Sequence, residues 1–277
     1  FDGGMGTILQ AHGLKAGELP ETWNLSHPDE IIALNRSYYE AGSDIVNTNT
    51  FGANVLKYPD NLREIVEAAV SHTKTARRLA GREDAYVALD IGPTGKLLQP
   101  MGDLPFERAV DPEKKNEVIV NIDIDKKEKV KVHQITIVGN EALTTKKLKR
   151  VMKKTNEKGK LLTGGTVDST VAMLEGLRVD ALGVNCGLGP EQMKPIVKRL
   201  TEVSSLPIIV NPNAGLPRSE NGKTVFDIAP AEFSDLMEEI AGMGVQALGG
   251  CCGTTPEHLR LTIEKCRKVP FRPPVAK

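Results

Sequence analysis

The sequence predicts an α/β protein in which short parallel strands alternate with amphipathic helices. Short apolar runs alternate with longer amphipathic stretches along most of the chain, which is the pattern of βα units. The apolar runs end in polar residues, and in parallel α/β folds the reactive residues collect where strands finish. The length of 277 residues fits one large domain, because such barrels commonly reach about 250 residues as one unit. Strand followed by helix, repeated, therefore favours a parallel barrel or an open sheet.

Five apolar runs are predicted to be buried parallel strands, and Phe1 is predicted to be the end of a truncated first strand. The five runs are Asp44 to Val46, Tyr86 to Leu89, Asp180 to Val184, Pro207 to Val210 and Val245 to Leu248. Helices are predicted at Ile31 to Ala41, Asn61 to Leu79, Pro190 to Val203, Ala231 to Met243 and Pro256 to Lys265. Thr255 and Pro256 suit the N-cap and first-turn positions of the last helix.

The segment from Asp111 to Asn156 interrupts this alternation. Residues 111–160 carry 14 basic and 8 acidic side chains, a local charge of 14 − 8 = +6 in a chain with no net charge. Two alternating runs, Glu117 to Ile124 and Val130 to Val138, predict a hairpin, and a basic helix is predicted from Thr144 to Lys154. A parallel strand pair needs a crossover of roughly a dozen residues, which the short connection cannot supply. The segment therefore does not consist of two further βα units.

Composition excludes several classes of protein. The 36 basic and 36 acidic residues balance, so the chain has no global attraction to nucleic acid or to anionic lipid. The sequence contains no run of about 18 apolar residues, which is the length needed to span a bilayer. The four cysteines are too sparse for a disulfide framework, and nothing in the sequence resembles a signal peptide. We expect a cytoplasmic protein without nucleic-acid or membrane partners, whose chain begins inside a longer one.

Three of the four cysteines, Cys186, Cys251 and Cys252, follow two of the predicted strands. Thiolates are soft ligands, and three of them leave one open position on tetrahedral zinc, as in catalytic sites. An incoming thiol would lose its proton on coordination and become a nucleophile at neutral pH. The alternative is that these cysteines pack as small buried hydrophobes. For Cys266 and the five histidines we expect structural or solvated roles.

Six motifs resemble those of the homocysteine S-methyltransferases, and in detail those of the homocysteine-binding module of cobalamin-dependent methionine synthases. The motifs are Asp2-Gly-Gly-Met-Gly-Thr, Thr48-Asn-Thr-Phe-Gly, Asp90-Ile-Gly-Pro-Thr-Gly, Gly183-Val-Asn-Cys186, Pro212-Asn-Ala-Gly215 and Gly249-Gly-Cys-Cys-Gly-Thr-Thr255. The resemblance implies a (β/α)8 TIM-type barrel that holds Zn2+ through Cys186, Cys251 and Cys252. It also implies that the homocysteine thiolate attacks a methyl group on a cofactor to give methionine.

The resemblance further implies which residues contact homocysteine and which partner supplies the methyl group. Asp2 with the amides of Gly3 and Gly4 is similar to the group that holds the substrate's ammonium and carboxylate. Thr48 and Asn185 are the other expected substrate contacts. No cobalamin module is recognised, so methylcobalamin is expected on a partner module of the same or another chain. The Pro-rich end from Val269 to Val275 is predicted to be a linker.

The middle of the chain departs from the family pattern. The family carries a Glu-Thr motif at the end of strand four, whereas the only Glu-Thr of this chain is Glu21-Thr22. Residues 111–156 instead resemble a junction of POTRA repeats. We therefore predict barrel parts at 1–110 and 157–277, with the strand four to strand five region replaced by the hairpin and helix of 111–156. The alternative to an active methyltransferase is a chimera or barrel remnant that binds zinc without catalysis, with this segment as a structural or peptide-binding graft.

Overall fold

The structure is a computed structural model that describes residues 1–15, 17–96, 102–104, 165–220 and 223–275. Contacts divide the chain into two compact units. The N-terminal unit comprises Asp2 and Gly4–Ile124, and the C-terminal unit comprises Phe1, Gly3 and Asp125–Lys277. The predicted hairpin and basic helix of 111–156 lie outside the described residues.

The N-terminal unit is built from helices around a pair of parallel strands. Its elements are α1 (Met5–Ala11), a 3-10 turn (Pro20–Thr22), α2 (Trp23–Ser26), α3 (Pro28–Glu40), β1 (Ile45–Asn47), α4 (Leu62–Leu79) and β2 (Tyr86–Ala88). The two strands pair in parallel from Ile45 opposite Tyr86 to Asn47 opposite Ala88. A parallel pair with a helical connection is the βα arrangement that the sequence predicts.

Helices α3 and α4 bury their apolar faces in this unit. Helix α4 buries Ile65, Ala69, Thr73 and Ala76, a spacing that puts them on one face. The amide nitrogen of Asn35 on α3 donates to Thr73 Oγ1 of α4 at 2.8 Å, so a buried polar contact joins the two helices.

The C-terminal unit contains a three-stranded parallel sheet, a small hairpin and four helices among its described residues. Its elements are α5 (Val167–Gly176), β3 (Leu182–Asn185), α6 (Pro190–Val203), β4 (Ile208–Asn211), β5 (Arg218–Glu220), β6 (Lys223–Val225), α7 (Pro230–Gly242), β7 (Ala247–Leu248) and α8 (Pro256–Cys266). The sheet has the order β3, β4, β7 and is parallel throughout. Strands β5 and β6 pair with each other in antiparallel fashion.

The core of the C-terminal unit lies between this sheet and its helices. Ile208 and Val210 of β4 pack with Val197 of α6 and with Phe233 and Met237 of α7. Because successive strand residues point to opposite faces, Ile209 and Asn211 lie on the other face of the sheet. All three strands run in the same direction, so their carboxyl ends share one edge.

The α/β class and ten of the eleven regular elements predicted outside 111–156 are confirmed, with helix and strand ends that differ by a few residues. The prediction of a strand at Phe1 is wrong. Phe1 lies outside the described strands, and its ammonium group donates a hydrogen bond to Leu248 O at 2.6 Å. Cys266 is the last residue of α8.

Among the described residues, no helix combines the length and apolarity needed to cross a membrane.

Candidate functional site

Cys186, Cys251 and Cys252 form one cluster in the C-terminal unit. Cys186 Sγ lies 3.7 Å from Cys252 Sγ, and Cys252 Sγ lies 4.0 Å from Cys251 Sγ. All three sulfur atoms lie within 4.8 Å of one another. Cys186 follows β3 and the other two follow β7, on the two sides of β4. The structure thus brings together three cysteines that the sequence places after two separate strands.

The backbone around Cys186 holds a conformation that non-glycine residues rarely adopt. Its φ angle is 62°, in the left-handed region, and that of Gly187 is 74°. The Cys186 N–H donates to Asn211 O at 3.0 Å, so the chain stays bonded to β4 as it turns. A strained backbone of this kind persists only where the surrounding structure holds it, and such residues cluster at functional sites.

The turn that carries Cys251 and Cys252 is fixed by backbone and side-chain hydrogen bonds. The Cys251 N–H donates to Pro212 O at 2.8 Å, and Thr254 Oγ1 donates to Cys251 O at 2.6 Å. A Cβ atom on Gly250 would lie 2.4 Å from Thr254 Oγ1. A side chain at position 250 would therefore displace the residue that holds this turn.

Asn213 connects the two halves of the cysteine cluster. Its Oδ1 accepts from the Cys252 N–H at 3.0 Å, and its side chain also bonds the Cys186 sulfur and so helps to lower the pKa of that thiol. Asn213 is 2% exposed, so its amide has few competing partners. The sequence places it in the Pro-Asn-Ala-Gly motif, yet it was not predicted as a site residue.

The three thiols share negative charge unequally. Hydrogen bonds from Cys251 and then Cys252 lower the pKa of Cys186. The bond to Cys186 raises the pKa of Cys252 to about 11 and, as the largest cause, also raises that of Cys251. Without a cation, one thiolate is thus stabilised at Cys186 by two neighbouring thiols. A divalent cation would stabilise the ionised form of all three, because a coordinating thiol is deprotonated outright.

The cluster fits a zinc ion by geometry and by ligand type. Zn–S bonds of about 2.3 Å in a tetrahedron place neighbouring sulfur atoms roughly 3.8 Å apart. The two measured separations of 3.7 and 4.0 Å are close to that value. Three thiolates and no oxygen ligand favour a soft or borderline ion such as zinc.

A second predicted site residue, Asp2, is buried in the N-terminal unit. It is 3% exposed, and burial raises its pKa to about 6, against the lowering effect of hydrogen bonds from Asn47. The Asn47 N–H donates to Asp2 Oδ2 at 2.8 Å, and Asn47 Nδ2 donates to Asp2 Oδ1 at 2.7 Å. Asn47 was not predicted; its place in the polar run that ends β1 was the available signal.

The remaining predicted substrate contacts are placed as follows. Gly4 accepts a hydrogen bond from Tyr38 through its carbonyl, at 3.3 Å. Thr48 is 2% exposed, and its hydroxyl lies 2.6 Å from Thr50 Oγ1. Asn185 is exposed at the end of β3, and Gly3 belongs to the C-terminal unit. Asp2 and Thr48 lie in the N-terminal unit, whereas Asn185 and the three cysteines lie in the C-terminal unit.

Comparison with known proteins gives matches that agree with one another. The sequence profile described as homocysteine S-methyltransferase matches residues 1–266. The chain is 29% identical over 287 residues to methionine synthase of Mycobacterium leprae (strain TN), and the alignment covers 94% of this chain and 23% of that protein. It is 30% identical over 288 residues to methionine synthase of Mycobacterium tuberculosis (strain ATCC 25618 / H37Rv), and the alignment covers 94% of this chain and 24% of that protein. The chain thus spans about a quarter of the length of these relatives.

Among solved structures, the homocysteine methyltransferase MmuM from Escherichia coli is similar. Its metallated form matches with a TM-score of 0.62 and 20% identity, covering 97% of this chain and 95% of that one. Its apo form matches with a TM-score of 0.57 and 17% identity, and the match covers 95% of this chain and 94% of that one. At these identities the likeness establishes a shared fold.

Proposed function

The chain belongs to the homocysteine S-methyltransferase family, and from this premise we propose that it is a zinc-dependent module that activates homocysteine for methylation to methionine. The observation that carries the proposal is the cluster of Cys186, Cys251 and Cys252, whose sulfur atoms lie within 4.8 Å of one another. A (β/α)8 barrel is the proposed architecture, in keeping with the five parallel strands described.

A zinc ion held by the three cysteines would offer one open position to a substrate thiol and lower the pKa of that thiol, so that it is a thiolate at neutral pH. The protein's own contribution is to fix the ligands. Asn213 holds Cys252 through its N–H at 3.0 Å, and Thr254 holds the carbonyl of Cys251 at 2.6 Å. Ligands held in this way need little rearrangement when a substrate binds.

The amino-acid end of homocysteine needs an acceptor for its ammonium group and donors for its carboxylate. We propose Asp2 for the ammonium and the amides of Gly3 and Gly4 for the carboxylate, with Thr48 and Asn185 as further contacts. Asp2 has the required chemistry, because its carboxylate is buried and accepts two hydrogen bonds that favour the ionised form. Asn185 directly precedes Cys186 in the sequence, and this proximity supports its amide as a proposed substrate contact.

The methyl donor is proposed to be methylcobalamin carried by another module. The relatives named methionine synthase are about four times as long as the stretch they share with this chain. Their additional length could accommodate such a module. We propose that this chain itself supplies the homocysteine half of the reaction.

The test is proton release on homocysteine binding. Homocysteine titrated into the zinc-loaded chain, in buffers of different ionisation enthalpy, should release close to one proton per site as its thiol ionises. Methionine has no thiol and should release none. Homocysteine binding without proton release would contradict the proposed activation.

A second candidate is a zinc-binding remnant without catalysis. The observation that favours it is the absence of a Glu-Thr motif from the middle of the chain, since Glu21-Thr22 is the only one present. Methyl transfer from supplied methylcobalamin separates the two functions. The comparison is a chain whose residues 111–156 are replaced by a βαβα sequence with Glu at the end of the fourth strand. Much faster transfer by that chain would favour the remnant, and equal rates would favour an active module.

A further inference from the structure

We propose that Asn47 is a positioning residue for substrate recognition, which holds the Asp2 carboxylate in one orientation for the substrate's ammonium group. The inference rests on the proposed function, in which Asp2 binds that group. The inference adds Asn47, a residue outside the six motifs, and the contacts that support it lie within the N-terminal unit.

The contact between the two side chains is bidentate. Asn47 Nδ2 donates to Asp2 Oδ1 at 2.7 Å, and the Asn47 N–H donates to Asp2 Oδ2 at 2.8 Å. Each carboxylate oxygen therefore has its own donor, and the carboxylate plane cannot rotate without breaking both bonds. An ionised carboxylate has about four acceptor positions, so two remain for an ammonium group.

Asn47 is held in place by the parallel strand pair. It is the last residue of β1 and lies opposite Ala88 of β2. The next residue, Thr48, uses its N–H to bond Ala88 O at 2.9 Å. The ladder of β1 and β2 thus extends to the residue after Asn47, which fixes the backbone N–H that binds Asp2.

The charge state of Asp2 also depends on this contact. Burial raises the pKa of Asp2 to about 6, and both hydrogen bonds from Asn47 oppose that rise. Donors favour the ionised form of a carboxyl group. Loss of the amide would leave the buried carboxylate with one donor fewer and would favour its protonated form, which accepts an ammonium group poorly.

The competing explanation is that the pair only anchors the start of the chain to β1. A structural anchor would affect every ligand equally, whereas a positioning residue affects ligands that carry an ammonium group. The useful probe is 4-mercaptobutanoate, which is homocysteine without its amino group. The ratio of its affinity to that of homocysteine isolates the ammonium contact from the thiol and from overall stability.

The first experiment compares Asn47→Ala and Asn47→Ser with the wild type, using calorimetry on the zinc-loaded chain. We expect homocysteine affinity to fall by about tenfold to hundredfold, as for the loss of a hydrogen bond to a charged group, with 4-mercaptobutanoate affinity unchanged. Asn49→Ala is the matched control, because Asn49 lies two residues beyond the end of the same strand and its side chain bonds Pro20 O and Asn24 Oδ1 instead of Asp2. It should leave the affinity ratio as in the wild type. An unchanged ratio in both Asn47 variants would overturn the proposal.

The second experiment exchanges the two side chains in the double variant D2N/N47D. The exchange keeps the side-chain hydrogen bond with its polarity reversed, and the backbone N–H of residue 47 can still donate to the side-chain oxygen at position 2. We expect the double variant to bind homocysteine as weakly as Asp2→Asn alone, because the carboxylate has moved. Recovery of wild-type homocysteine affinity would show a purely structural pair. A wild-type chain that binds neither thiol would instead refute the proposed function and this inference with it.

Discussion

The sulfur atoms of Cys186 and Cys252 lie 3.7 Å apart, although 66 positions separate the two residues in the sequence. The cause is the strand order β3, β4, β7, which places the carboxyl ends of β3 and β7 on either side of β4. Asn213, two residues beyond the end of β4, bonds the backbone of Cys252 at 3.0 Å. The cysteine cluster is thus assembled by the sheet, and substitutions of its cysteines should lower metal affinity before they lower the stability of the fold.

Cys252→Ser should remove tight zinc binding. Two remaining thiolates are too few for a stable tetrahedral site, so we expect zinc affinity to fall by more than about a hundredfold. Substitution of a residue that only supports a ligand typically costs about tenfold to hundredfold in affinity, which is less. Elemental analysis after dialysis against a chelator measures the retained metal. Cys266→Ser is the control, since Cys266 ends α8 outside the cluster. Equal zinc retention in both variants would disprove the assignment of Cys252.

The sequence predicts the parallel strands from local apolar runs, and it also predicts that the three cysteines follow two of these strands. Runs such as Ile208 to Val210 are apolar, and parallel strands must end at one edge. The hairpin β5–β6 was not predicted, because Arg218–Glu220 is polar and exposed and lacks an apolar alternation. Asn47 was not distinguished from Thr48, because its role depends on the distant residue Asp2. Contacts between residues far apart in sequence leave no periodic signal.

His258 should make the C-terminal unit less stable as the pH falls. Its Nε2–H donates to Ile228 O at 3.0 Å, and its Nδ1 accepts from the Thr255 N–H at 3.2 Å, so the folded state uses the neutral ring. Burial lowers the pKa of His258 below its usual 6.5. The unfolded chain therefore takes up the proton more readily, and this stabilisation is present above about pH 6.5 and is lost as the pH falls through the folded pKa.

His258→Gln should remove this dependence. At neutral pH we expect the variant to be about 1 kcal/mol less stable, as for the loss of a helix cap, with the difference shrinking towards about pH 5. Urea unfolding across this range measures the free energy of unfolding. His12→Gln is the control, because His12 is exposed and its side chain bonds the exposed Glu30. A constant difference between His258→Gln and the wild type at every pH would contradict the argument.

Asp90→Asn should have the opposite pH signature. Burial, with a smaller effect of the negative charge of Glu21, raises the pKa of Asp90 from 3.8 to about 6. Protonated Asp90 therefore stabilises the folded state below about pH 3.8, and this contribution is lost as the pH rises through about 6. The variant cannot ionise, so at neutral pH we expect it to be more stable by about 1 kcal/mol after allowance for partial exposure. Unfolding of the variant and of the surface control Asp60→Asn should differ at neutral pH and agree near pH 4.

Gly253→Ala should destabilise the turn that follows Cys252 for two separable reasons. The φ angle of Gly253 is +79°, and an added Cβ would lie 2.4 Å from Phe226 Cγ. The left-handed backbone costs alanine about 1 to 2 kcal/mol, and the overlap with the ring adds about 1 to 3 kcal/mol. Gly81→Ala is a matched control for the backbone cost alone, because Gly81 has a φ of +66° with no atom within 4 Å of the added Cβ.

The double variant Phe226→Ala with Gly253→Ala separates the two costs. Measured against Phe226→Ala alone, the Gly253→Ala penalty in the free energy of unfolding should fall to that of Gly81→Ala, because the ring is gone and only the backbone cost remains. We also expect Gly253→Ala alone to lower zinc affinity, because relief of the overlap would shift the adjacent Cys252, and we expect the double variant to restore that affinity. A Gly253→Ala penalty that is unchanged by the loss of the ring would show that Phe226 does not constrain this turn.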